Sequence, residues 1–194
     1  MKKAIQLFVC AAKCECPLGY YYLGKEYYYG RFLDQNLSLA SSCFLKAFKN
    51  FREPRSGYFI YKTKVYGVDY IKLLKISAYF GYRRALYKYG HLLITGKNEV
   101  IKNEKNGIEL IRQAALQNYK KAKSYCKLHK ISLKTIYNTN DAFSDINIDI
   151  DDDSVCDIID NNEQNSNLDN VKNNSELSID GDDENSIDSL NFWF

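Results

Sequence analysis

Residues 1–16, MKKAIQLFVCAAKCEC, decide how the rest of the chain is read. Lys2 and Lys3 followed by the apolar run 4–12 have the layout of a secretory leader, but no clean small-x-small cleavage site precedes Cys16. The competing reading makes the stretch a helix of the fold, and comparison of the chain with itself favours it. Four segments carry one pattern: KAIQLFVCAAKC from Lys3, LASSCFLKAFKNF, YIKLLKISAYFGY and GIELIRQAALQNY. In register they place Leu7, Cys43, Leu74 and Leu110 in one column and Ala11, Ala47, Ala78 and Ala114 in another. The two columns stand four residues apart, the spacing of one helical face.

Each segment is followed by a second pattern, seen as PLGYYYLGKEYYYG, PRSGYFIYKTKVYG, RRALYKYGHLLITG and, in part, KKAKSYCKLHK. A small residue stands third in each (Gly19, Ser56, Ala85, Ala122), and Leu23, Ile60, Tyr89 and Cys126 share a later column. Gly30, Gly67 and Gly96 end three of them, where a helix C-terminus favours positive φ. Pro17 and Pro54, the only prolines, stand at helix starts, where a missing N–H costs nothing. The spacing predicts helices near 3–16, 17–30, 38–52, 54–67, 69–81, 83–96, 105–118 and 120–131.

This alternation resembles the Sel-one-like repeat family, a relative of the tetratricopeptide repeat, whose pattern runs A-x-A-x-x-x-L-G-x-x-Y-x-x-G, a loop, then A-x-x-W/Y-x-x-A-A-x-x-G. Leu23, Gly24, Tyr27 and Gly30 match the first part. Ala85, Gly90 and Gly96 match it again, with Tyr89 and Leu93 as substitutes, and Gly107, Ile111, Ala114 and Ala115 match the second part. The opening aligns without a gap from Ala4 through Phe8, Ala11 and Ala12 to Leu23 and Gly24, so it reads as the second helix of a repeat. Tyr61 breaks the column of Gly24 and Gly90, which marks the middle repeat as degenerate, and Lys127 in the same column suits a solvent-facing cap. The resemblance covers residues 3 to about 130 and implies an all-α, right-handed α-solenoid over 1–132. Its concave side would be lined by the tyrosine-bearing helices.

Charge divides the chain. Residues 1–137 hold 26 Lys and Arg against 8 Asp and Glu, a net +18, whereas 138–194 hold Lys172 against 16 acids, a net −15. Periodicity stops near Asn138, and Asn, Asp and Ser with sparse apolar residues cannot bury enough surface to offset ordering entropy. The segment 133–194 is therefore expected to be a disordered acidic tail. Two clusters interrupt it, 146–159 and the final IDSLNFWF with Phe192, Trp193 and Phe194. Three readings of this end stand side by side: docking on the chain's own basic groove, a linear motif for another protein, and an export signal.

Most tyrosines of the second pattern are expected in the core, while Tyr28, Lys62, Arg84 and Lys88 are candidates for a partner-binding groove, since Tyr and Arg combine contact area with hydrogen bonding. Histidines 91 and 129 have no nucleophile or carboxylate placed beside them by a recognisable motif, and the glycines are explained by repeat columns rather than a phosphate loop. Cysteines 10, 14, 16, 43, 126 and 156 lack the regular pairing of a disulfide framework, and C-x3-C-x-C is not a zinc spacing. No run approaches the length of a membrane span. The expectation is a non-enzymatic scaffold or adaptor without cofactor or metal, holding a protein or peptide partner of acidic character. Its compartment would be reducing: the cytoplasm, or a host cytoplasm for an exported effector of an intracellular bacterium or a large virus. The alternative is nucleic-acid binding by the basic body, with the tail as its mimic.

Overall fold

The computed structural model describes residues 2–49, 53–64, 68–134 and 143. Among them are eight α-helices and no strand: α1 (Lys2–Lys13), α2 (Pro17–Tyr29), α3 (Leu37–Phe48), α4 (Arg55–Thr63), α5 (Tyr70–Tyr79), α6 (Arg83–Thr95), α7 (Glu104–Leu116) and α8 (Lys120–Leu128). Each packs on the next in chain order, and α4 also touches α6, so the helices stack as an α-solenoid. The opening stretch is α1, with its Ala12 buried against α2. The acidic segment, with Phe192, Trp193 and Phe194, lies outside the described residues apart from Phe143.

The same local devices recur at equivalent places. The turns out of α1, α5 and α7 share one geometry: a left-handed residue (Glu15, Gly81, Asn118) followed by the residue that starts the next helix. In each, the N–H of Cys16, Tyr82 or Tyr119 donates across the turn to the carbonyl of Ala11, Ser77 or Ala114, at 3.0–3.1 Å. This paired 6→1 and 5→2 bonding satisfies carbonyls a helix end leaves orphaned. Helices α2 and α6 instead end on left-handed Gly30 (φ 64°) and Gly96 (φ 66°). Beyond them, the N–H of Asn36 donates to the carbonyl of Tyr27 (2.9 Å), and that of Asn103 to the carbonyl of Leu93 (2.8 Å). Tyr27 and Leu93 occupy one repeat column. The side chains of Asn36, Asp69 and Asn103 then cap α3, α5 and α7 by accepting from the N–H three residues on.

Glycine columns set how closely helices cross. A Cβ on Gly24 would lie 2.9 Å from the Phe44 ring, and one on Gly19 2.7 Å from Ala11. In the middle repeat, where Tyr61 fills the column, the close approach moves one turn earlier: a Cβ on Gly57 would meet the Leu73 carbonyl at 2.5 Å. Helices α1 and α8 end at Lys13 and Leu128, three residues before the expected 16 and 131, and the largest differences lie between them. Helix α3 ends at Phe48 rather than near 52, and α4 ends at Thr63, with Lys64 left-handed (φ 50°), before Gly67, which is outside the described residues. The Thr63 hydroxyl bonds the Ile60 carbonyl at 3.0 Å, a local contact that competes with continuing the helix.

A single core runs through the stack. At its centre the rings of Phe44 (α3) and Phe59 (α4) stack at 4.8 Å, and Tyr21, Tyr28, Tyr29 and Tyr58 meet Phe59 edge-on. Leu74, Leu110 and the alanines 47, 78 and 114 are fully buried, as the columns predicted, but Leu7 is 67 % exposed. Helix α1 is first in the stack, and no other described helix covers that side of it.

A candidate binding face of tyrosines and basic side chains

Helices α2, α4 and α6 lie side by side through contacts between residues far apart in sequence. The Arg55 guanidinium (α4) sits over the Tyr21 ring (α2) at 4.5 Å, Tyr58 (α4) meets Tyr82 at the start of α6 at 5.8 Å, and Lys88 (α6) sits over Tyr61 (α4) at 5.6 Å. Tyr87 (α6) extends the row to Tyr119, which starts α8, at 5.4 Å. Helical spacing explains the alignment. Tyr21, Lys25 and Tyr28 on α2, Arg55, Tyr58 and Lys62 on α4, and Arg84, Lys88 and His91 on α6 each recur at three- or four-residue intervals.

Lys25 stands among like charges. Its ammonium lies 5.6 Å from the centres of both the Tyr21 and Tyr22 rings. Burial, and then the charges of Arg31, Arg84 and Arg55, lower it to about 8. Two carboxylates counter the basic groups. Glu53 holds Arg55 by two 2.6 Å hydrogen bonds, and Glu26, itself buried, pairs with Arg31 at 3.5 Å, its Oε2 without a partner among the described residues. Among the described residues Lys25, Arg31, Arg55 and Arg84 thus gather around these two acids. Burial pushes the phenols of Tyr21, Tyr58 and Tyr82 above their ordinary range, so they stay neutral hydrogen-bonding groups. Arg84 is raised by its electrostatic interaction with the phenols of Tyr82, Tyr58, Tyr29 and Tyr119, against the opposing effect of its burial.

Of the four groove candidates, Arg84 and Lys88 fall one turn apart on α6 and Lys62 lies on the neighbouring α4. Tyr28 is half-buried, with its ring edge-on to Tyr29 (5.0 Å) and Phe59 (5.8 Å), within the packing between α2 and α4. Lys25 and Arg55, the cations nearest the Tyr21 ring, were not singled out in the sequence. The signal was present in their i, i+4 and i, i+3 spacing from Tyr21 and Tyr58.

One contact comes from beyond the last helix. The Phe143 ring meets Tyr79 of α5 at 5.5 Å and stacks on Tyr89 of α6 at 6.5 Å, so a residue of the expected tail packs against the middle of the stack. Among the described residues no three His, Cys, Asp or Glu side chains converge as metal ligands, and no helix is long and apolar enough to cross a membrane. His91 is held below its ordinary pKa by partial burial and by Lys88 and Lys97, with Tyr87 as its ring neighbour. Comparison with family models, curated proteins and solved structures finds no match to this chain.

Proposed function

We propose that this chain is a non-enzymatic scaffold of the Sel-one-like repeat type that holds a protein or peptide partner on the face shared by α2, α4 and α6. The repeat assignment is supported by the recurrent turns after α1, α5 and α7 and by the matching bonds from Asn36 to Tyr27 and from Asn103 to Leu93. One observation carries the binding role: Lys25 and Arg55 share the Tyr21 ring, with the partly exposed Tyr22 and Tyr29 and the charges of Arg31 and Arg84 beside them. Basic groups on aromatic rings suit a partner that brings carboxylates together with flat apolar groups, because the rings supply contact area and the cations supply orientation.

The test is a titration of the 194-residue chain with a fluorescent acidic peptide containing Phe and Trp, alongside a basic peptide of equal length and a single-stranded DNA. Saturable binding of the acidic peptide, weakened about tenfold or more by Arg55→Gln with Arg84→Gln, supports the reading. Preference for the DNA with a steep salt slope would replace it with a nucleic-acid role, and no binding of any probe at low salt, either by this chain or by one with its acids at 180–184 neutralised, would remove it.

A further inference from the structure

We propose that the occupant of this face is the chain's own acidic segment 180–194, DGDDENSIDSLNFWF, whose carboxylates meet Lys25, Arg55 and Arg84 and whose Phe192, Trp193 and Phe194 pack on the partly exposed rings of Tyr22 and Tyr29 beside them. This rests on the reading of the face as a peptide-binding surface.

Three observations support it. Charge is the first: residues 144–194 carry 15 Asp and Glu against Lys172, while among the described residues the face brings the charges of Arg31, Arg55 and Arg84 to bear on Lys25, with Glu26 and Glu53 beside them. An anion here relieves the mutual repulsion around Lys25 rather than adding a charge to a neutral surface. The second is Phe143, whose contacts with Tyr79 and Tyr89 bring the chain back onto α5 and α6 after α8. The acidic segment thus starts from the middle of the stack and not from its far end. The third is reach. Thirty-six residues lie between Phe143 and Asp180, up to about 120 Å when extended, whereas a 13-residue helix such as α2 spans about 20 Å. Every point of the face is within the tether's range, and such a tether supplies an effective concentration that reaches the millimolar range. A weak contact is then enough to keep the face occupied, and an outside partner has to displace the segment.

Trp193 is the only tryptophan, so its emission and anisotropy in the 194-residue chain report docking directly. At about 0.05 M salt the docked segment gives blue-shifted, slowly tumbling emission independent of protein concentration. At about 1 M, where screening acts within about 3 Å, it gives red-shifted, mobile emission. Two variants each reduce the docked fraction at low salt about tenfold: Lys25→Gln with Arg55→Gln and Arg84→Gln, and the change of Asp180, Asp182 and Asp183 to Asn with Glu184→Gln. The second leaves the helices untouched, so misfolding cannot explain its effect. A mobile, red-shifted Trp193 at both salts overturns the proposal, as does docking unmoved by either variant or docking that grows with concentration, which assigns the segment to a second copy. A labelled 180–194 peptide added to the chain carrying the second variant, with its face intact, separates the two readings. Its binding alongside a mobile Trp193 in the unmodified chain keeps the face and discards self-docking, and its failure to bind discards both.

Discussion

Gly90 and Gly107 meet backbone to backbone where α6 crosses α7: a Cβ on Gly90 would lie 2.7 Å from the Gly107 carbonyl oxygen, and one on Gly107 2.6 Å from that of Gly90. Neither atom belongs to a flexible side chain that could move aside. The crossing distance of this hairpin is therefore set by the absence of two methyl groups.

Replacing Gly90 by Ala should force α6 and α7 apart. Alanine favours the helix by up to about 1 kcal/mol, but overpacking costs about 1–3 kcal/mol, and against a rigid carbonyl the cost wins. Denaturant unfolding should show a lower midpoint for Gly90→Ala than for the native chain. An unchanged or higher midpoint would mean that the helices separate freely.

Phe59 is the hub of the aromatic core, stacked on Phe44 at 4.8 Å and touched by tyrosines of α2. Truncation to Ala removes a fully buried ring and should cost about 3–5 kcal/mol. The same measurement on Phe32→Ala, whose side chain is half exposed, should shift stability by a small fraction of that.

Ser56 and Ser77 are fully buried, and their hydroxyls have no hydrogen-bond partner among the described residues. Ser56 stands in the small-residue column that Ala85 and Ala122 fill elsewhere, and Ser77 precedes Ala78 on α5. Alanine keeps the size and removes a desolvated polar group, so each Ser→Ala change should stabilise by roughly 1 kcal/mol. A loss of stability in both would show that the hydroxyls are bonded in solution.

Lys25 should make stability depend on pH. Its folded value of about 8 lies below the ordinary 10.5. Between these values the unfolded chain binds more protons, and stability rises with pH. Below about 8 the ammonium is charged in both states, and its burial beside Arg31, Arg84 and Arg55 weighs fully against folding. Tyr21, Tyr58 and Tyr82, raised by burial, act oppositely and remove stability above about 10, where the unfolded chain ionises first. Unfolding midpoints should therefore climb from pH 7.5 to 9.5, and Lys25→Met should raise the midpoint at pH 7 while flattening that climb. A climb that survives in Lys25→Met would assign it to another group.

What the sequence determined by itself was local and repeated. Gly30 and Gly96 mark helix ends through positive φ and Pro17 through its fixed φ and missing N–H, and the alanine and leucine columns mark the buried sides, because these depend on residues within a few turns of each other. The caps at Asn36, Asp69 and Asn103 are as local, but the sequence reading did not single them out. Only the tertiary structure decided what depends on distances between helices: that Gly57 takes over the close approach Tyr61 denies to its own column, and that Leu7 is left exposed on the first helix. The same holds for Lys25 and Arg55 sharing the Tyr21 ring across some 30 residues of chain, and for Phe143 returning to Tyr79 and Tyr89. Periodicity tells which side of a helix faces inward, whereas the stagger and tilt between neighbouring helices choose which side chains on the outer side meet. That choice is made by side-chain packing across the stack, which no single helix encodes.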